Sequence, residues 1–380
     1  MNNNFIHINN PNNELVYISV CYANYGRIKH NFSPMAAEIF YNEHLSDEFY
    51  IDLESKAIEI IASAGECDFI FNIICLKKQL ENCLKAFKQM LDFNDFKDLE
   101  KIKFKIKNYF LAEFQEYDSL AKMKLYENFF KAPFKNSKYG DFDNFNDEDF
   151  KNYIKNLKNQ ANKIVISADL NETELNNIRQ FLNNKSINYD TLEYNKSFFL
   201  KENKNISQSF IRICSPCIIS SKKEKVAMSL AGFILGGGFG SRITEEIRVK
   251  RGLAYTAYAM LAAIKQSYFF TGLLQTKLSS EKEAIKIIKD EFNKIIDFGI
   301  NIDEFNKAKE FLIGSEILKY ATIEKRHNIA CSEIFSNYDL GESRKNIEIL
   351  KALSLDECNE ILSKKQEIKD LSFFVVSKNE

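Results

Sequence analysis

Two segments of the chain close on the same signature: KIVISADL at 163–170 and LSFFVVSK at 371–378. Each is a short apolar, β-branched run, the mark of a buried strand. The elements upstream of each also come in a similar order, and a repeat of this length constrains the fold before any motif does. The first half reads as a strand at 15–23, helices at 33–44 and 48–64, a strand at 67–76 and a helix at 79–93. Helical sequence then covers 99–130 and 147–157. Ser33-Pro34 supplies a cap residue with proline at the first helical position. The second half reads as a strand at 209–219, helices at 224–235 and 241–250, strands at 253–263 and 266–277, and helical sequence over 281–298, 302–336 and 343–364. A short helix at 172–182 precedes 183–207, a polar, asparagine-rich stretch that reads as a linker. The expectation is an α+β fold, a tandem of two homologous α+β sandwich domains at 1–182 and 208–380.

Charge excludes some partners. The chain has 52 Lys plus Arg against 53 Asp plus Glu in 380 residues, a net charge of −1, so no global field draws it to nucleic acid or an anionic membrane. The longest uncharged apolar stretch, 226–240, ends in a glycine cluster and is too short to span a bilayer. The N-terminus MNNNFIHINNPNNE has no basic start followed by an apolar run, so a cytoplasmic location is expected, with the periplasm open if the chain is processed.

Cysteine and histidine limit the chemistry further. Most of the eight cysteines sit in apolar contexts and read as small core residues of a reduced protein. Cys214 and Cys217 have knuckle spacing, yet no second pair exists and they fall in a strand pattern, so they too read as packing. His7, His30, His44 and His327 are scattered, and no two have the spacing of ligands on one helix. A histidine-based metal site is hard to build from them.

The most specific segment is LGGGFGSRITEEIRVKRGLAY at 235–255. Gly236, Gly237, Gly238 and Gly240 follow a helical pattern rather than a strand, and no Lys-Ser or Lys-Thr comes after them, which argues against phosphate binding. The alternative is a tight helix-to-helix turn whose glycines allow positive φ and close backbone approach, with Ser241 capping the next helix. This run resembles the C-terminal-domain signature of the insulinase-type zinc peptidases, the family of pitrilysin and the mitochondrial processing peptidase. The resemblance extends more weakly over nearly the whole chain. It implies that Arg248 and Tyr255 hold the substrate backbone and stabilise the scissile carbonyl as its oxygen becomes negative. Guanidinium and phenol are suitable donors for that task. The implied substrate-binding set is Gly237, Gly238, Arg248 and Tyr255.

The same resemblance implies a zinc motif, H-x-x-E-H, on a helix of the first domain, with a glutamate farther along as third ligand. At the matching place this chain has Met35-Ala-Ala-Glu38-Ile39. The outer two positions share one helical face, as ligands must, but both are apolar. A thioether beside an isoleucine offers zinc almost nothing. Glu38 falls where the family has its general base, and Glu113 in the segment of the third ligand. Both are vestigial on this reading, and Glu38, Glu113 and Glu116 are equally well read as polar helix residues. His44 cannot restore the ligand spacing.

The resemblance therefore implies a non-catalytic subunit of an insulinase-type metallopeptidase. It would bind peptide substrate and complete the chamber of a zinc-bearing homologous subunit, or pair with itself, and would carry no cofactor of its own. A structural or peptide-binding scaffold, and an autonomous zinc peptidase with unusual ligands, are the alternatives.

Overall fold

The computed structural model describes residues 4–40, 45–92, 99–133, 146–238 and 240–378. Among them are two five-stranded sheets. The first contains β1 (Phe5–Asn9), β2 (Leu15–Tyr22), β3 (Glu59–Ala64), β4 (Phe69–Leu76) and β5 (Asn162–Ala168), in the order β1-β5-β2-β4-β3. The second contains β6 (Phe199–Asn203), β7 (Gln208–Cys217), β8 (Ala254–Ile264), β9 (Ser267–Lys277) and β10 (Ser372–Ser377), in the order β6-β10-β7-β9-β8. The orders are the same strand for strand. In each sheet the first and last strands pair in parallel and every other pairing is antiparallel. The repeat and the α+β class expected from sequence are both present.

Several elements differ from their sequence reading. The helix expected at 48–64 is Asp47–Ser55, and the chain then turns through Ala57, at φ 53, into β3. EIIASA, with its β-branched residues, belongs to the sheet. The helix expected at 33–44 is Ser33–Glu38, capped at Phe32 with no side-chain bond from Ser33; residues 41–44, including His44, lie outside the described residues. The stretch expected as a linker contains β6, whose FLKEN sequence is mostly exposed on the sheet's edge and so lacks an apolar alternation.

The two compact units cut across chain order. One consists of Met1–Ala112, Asn136–Asp190 and Lys319–Leu340; the other of Glu113–Lys135, Thr191–Leu318 and Gly341–Glu380. Each sheet is thus covered by a helix from the other half of the sequence. Helix Ile323–Phe335 packs on β2 and β5, burying Ala330, Ile334 and Phe335 against Ile6, Cys21 and Val165. Helix Tyr117–Phe129 packs on β7 and β10. The exchanged helices occupy equivalent places in the repeat.

Polar anchors fix both. His327 is 3% exposed. The Ser19 hydroxyl donates to Asn72 Oδ1 at 2.6 Å, so it accepts from His327 Nε2 at 2.9 Å, and Nδ1 takes the hydroxyl of Ser167 at 3.0 Å. That is a neutral imidazole, and burial pushes its pKa down to about 4. The folded value lies below the ordinary one, so the stabilisation is complete above pH 6.5 and falls away as pH drops towards 4. Acidification from pH 7 to 5 should cost about 2 kcal/mol through this group. Replacing His327 with glutamine should remove that share of the slope in urea unfolding; an unchanged slope would show the imidazole to be irrelevant to it.

The cysteines behave as packing. None of the eight is in a disulfide, and six are buried. Cys214 and Cys217 both lie in β7, three residues apart and therefore on opposite faces, where they cannot share a metal or a disulfide. Burial pushes both thiols up to about 12. Among the described residues, no helix is long and apolar enough to cross a membrane.

Candidate functional site

The glycine segment ends one helix and begins another. Helix Lys222–Gly232 runs on as a wider π turn, Phe233–Gly237, and a second π turn spans Thr244–Val249. Gly236 is required by close approach: a Cβ there would sit 2.3 Å from the backbone nitrogen of Ala259 in β8. At Gly238 a Cβ would meet the Phe233 ring at 2.8 Å. The positive φ expected of the cluster occurs at Gly240, 84°, and again at Gly252, 59°, which turns the chain between Arg248 and Tyr255. Gly236→Ala should therefore cost about 2 kcal/mol by pushing the helix end off β8, read as a lower urea midpoint. Gly240→Ala has open space and only a φ penalty.

Ser241 stands at the start of the next helical turn, but its hydroxyl bonds Thr244 Oγ1 at 2.9 Å rather than a backbone N–H. Arg242 secures the segment from outside. Its guanidinium grips Glu304 with two bonds of 2.7 Å and the carbonyl of Gly299 at 2.9 Å. The pair holds the Glu304 carboxyl below its usual range despite the opposing effect of burial.

These constraints bring Arg248 and Tyr255 to one place. With Gly236, Gly237, Gly238, Thr244, Thr256, Ala257 and Tyr258 they line a cleft of about 360 Å³ along β8, the edge strand of its sheet. Arg248 is exposed, and its guanidinium lies 6.0 Å from the centre of the Tyr255 ring, which is 80% exposed. Neither side chain is buried against its own unit. Among the described residues the Arg248 guanidinium has no ion-pair or hydrogen-bond partner. Its neighbour Glu246 is taken by Lys250 and Arg251, whose bonds bring that carboxyl down to about 2.

Sequence reasoning missed the residues behind the cleft. Arg212 in β7 reaches across Leu273 of β9 to Tyr258 of β8, the three being in register. Its Nη1 donates to Tyr258 Oη at 3.1 Å, while Nε and Nη2 hold both oxygens of Asp118 at 2.6 Å. Burial opposes the charge on Arg212, but the bonds to Asp118 prevail and keep its pKa raised. A lone arginine inside FIRIC, an otherwise apolar strand, was the available signal.

The place where the resemblance puts the zinc motif is filled by packing. Met35 is 1% exposed and Ile39 0%, both in the core of their unit. Glu38 is half-buried, and desolvation raises its carboxyl pKa against the opposing charge of Lys105. Glu113 lies in helix Leu99–Phe114, but its side chain is outside the described residues; Glu116 is exposed at the cap of helix Tyr117–Phe129. No group of three His, Cys, Asp or Glu side chains among the described residues could hold a metal ion.

Two sheets of one topology, with a glycine turn that sets an arginine and a tyrosine on an edge-strand cleft, define a protein built on the plan of a peptidase half-molecule. Residues 144–312 match the family described as the Peptidase M16 inactive domain. A non-peptidase homolog, YmxG, of Helicobacter pylori is 30% identical over 344 residues, covering 86% of this chain and 78% of that protein. Among solved structures, a peptidase M16 inactive domain from Pseudomonas fluorescens superposes with a TM-score of 0.85 at 17% identity, over 99% of this chain and 95% of that one. A protease from Helicobacter pylori does so with 0.78 at 14% identity, over 98% and 96%. The chain belongs to the M16, or insulinase-type, peptidase family, and it lacks the family's H-x-x-E-H zinc motif.

Proposed function

We propose that this chain is a non-catalytic subunit of an M16-type metallopeptidase, binding peptide at the Arg248–Tyr255 cleft and completing the chamber of a homologous partner that carries zinc. The observation that carries the reading is the contrast between the two sites. Arg248 and Tyr255 stay exposed on a shaped cleft, while Met35 and Ile39 sit in a packed core where imidazoles would be needed. Apolar side chains at 35 and 39 cannot hold the zinc ion that would activate water there. The chain can contribute donors that lie near the carbonyl oxygen as charge develops there, once both subunits hold the peptide. Glu38 then has no metal-bound water to deprotonate and is a remnant. Gly237 and Gly238, free of side chains towards the cleft, leave room for a peptide backbone. Eight cysteines without a disulfide fit a reducing compartment, which supports the cytoplasm.

The test mixes this chain with a zinc-bearing homologue from the same organism and follows cleavage of a peptide library. The homologue should cleave slowly alone and faster with one equivalent of this chain. Full activity of the homologue alone, unchanged by adding the chain, would support a scaffold role and end the proposal.

A further inference from the structure

We infer that Arg242 and Glu304 are positioning residues for Arg248: their paired bonds hold the π turn Thr244–Val249 in the register that presents the Arg248 guanidinium to the cleft. That role rests on the reading of Arg248 as a residue that holds substrate, and adds the pair that sets its direction. The segment carrying Arg248 lies between two positive-φ glycines, Gly240 and Gly252, and a Cβ at either would meet nothing within 4 Å. No neighbour crowds either hinge. Between them Ile243 and Ile247 are fully buried and set the depth of the segment in the core, but apolar burial has no direction of its own. The turn is what needs directing. The Lys250 amide donates to the Glu245 carbonyl, five residues back, at 2.9 Å, and turns of this width are rare. Relaxation to α geometry would rotate Arg248 about the helix axis by up to about 100°, the span of one residue, and so turn it away from Tyr255.

Direction comes from the clamp. Arg242 Nε and Nη2 donate to the two Glu304 oxygens at 2.7 Å each, and Nη2 also donates to the Gly299 carbonyl at 2.9 Å. A bidentate arginine–carboxylate pair fixes an angle as well as a distance. The two side chains are 17% and 26% exposed, so solvent screens them less than a pair on an open surface. The post that Arg242 grips is itself fixed. Glu304 and Asn301 cap helix Ile302–Lys319 reciprocally: the Asn301 amide donates to Glu304 Oε2 at 3.0 Å, and the Glu304 amide to Asn301 Oδ1 at 2.9 Å. From helix Leu355–Ser363, Asn359 holds the amide and the carbonyl of Ile300 at 2.9 and 3.0 Å. All these residues belong to one compact unit. The other cations of the segment do not replace the clamp. Lys250 and Arg251 spend their short bonds on Glu246, inside the segment, and Arg251 reaches the exposed Glu283 only at 3.9 Å.

The variant that isolates the pair is Glu304→Gln, because glutamine serves in a reciprocal cap as glutamate does, while the charge that Arg242 grips is gone. The first measurement is hydrogen–deuterium exchange of the full chain by itself. Exchange at the Lys250 and Leu253 amides should rise about tenfold or more, the worth of a bond between charged groups, with strand Ser267–Lys277 unchanged. Arg242→Lys keeps the charge and loses the fork, and should give a smaller rise. Unchanged exchange, or a rise shared by the strand, would overturn the inference, because the pair would then be idle or a general support of the unit. The second measurement is a double-mutant cycle in the mixed assay with a zinc-bearing homologue. Glu304→Gln should lower kcat about tenfold at unchanged KM when Arg248 is present, and by less than about twofold in an Arg248→Ala background. Equal losses in the two backgrounds would overturn it as well. The two readings fail separately. A chain that leaves a homologue's cleavage unchanged loses the subunit role, and the exchange rates still decide the clamp; a stimulating chain whose exchange is unaltered by Glu304→Gln loses the clamp alone.

Discussion

Asp118→Ala is expected to lower the stability of the chain by about 4 kcal/mol, because it leaves the Arg212 guanidinium charged, buried and without its partner. The arginine cannot shed its proton to escape. Its remaining bond, to Tyr258 Oη, replaces only a fraction of what two carboxylate oxygens at 2.6 Å supplied. The comparison that isolates this cause is the double variant Asp118→Leu/Arg212→Met. Removing both charges takes away the pair and the desolvation together, so the double variant should lie within about 1 kcal/mol of the wild type. Urea unfolding of the three proteins decides it. A double variant as unstable as the single one would show that helix Tyr117–Phe129 depends on something other than charge compensation.

Arg248→Ala is expected to act on the reaction and not on the fold. The side chain is exposed and makes no bond within the described residues, so its loss should move the unfolding midpoint hardly at all. In the mixed assay with a zinc-bearing homologue, the same change should reduce kcat by about a hundredfold, the usual effect of losing one donor to a developing oxyanion. Tyr255→Phe removes a neutral donor and should cost less, roughly tenfold. If Arg248→Ala raised KM and left kcat intact, the residue would bind ground state and transition state alike, and the account of its role would have to change.

The division between what was and was not legible in the sequence follows the range of the interactions. Arg248, Gly252 and Tyr255 lie within eight consecutive positions, and their arrangement follows from one helix end, one positive φ and one strand start, so the sequence carries it. Arg212 and Asp118 are 94 residues apart and meet only because helix Tyr117–Phe129 belongs to the second sheet. Periodicity tells which face of a helix is apolar and not which sheet that face will cover, so neither exchanged helix could be placed beforehand. β6 leaves no mark in the sequence because an exposed edge strand has no buried face to impose alternation. The sequence of β3 reads as helix because EIIASA follows a helical run without a glycine or proline, the turn being made at Ala57 with φ 53. The absence of an H-x-x-E-H motif is legible without a structure: the residues at 35 and 39, where the resemblance places its histidines, are apolar wherever their helix lies.

The most direct test of the whole account is made on the chain by itself. The purified protein is analysed for zinc and then incubated with mixed peptides, with and without a chelator. The account predicts far less than one zinc per chain and no cleavage in either condition. Stoichiometric zinc, together with cleavage that follows the protein through purification and stops when the chelator is added, would contradict it.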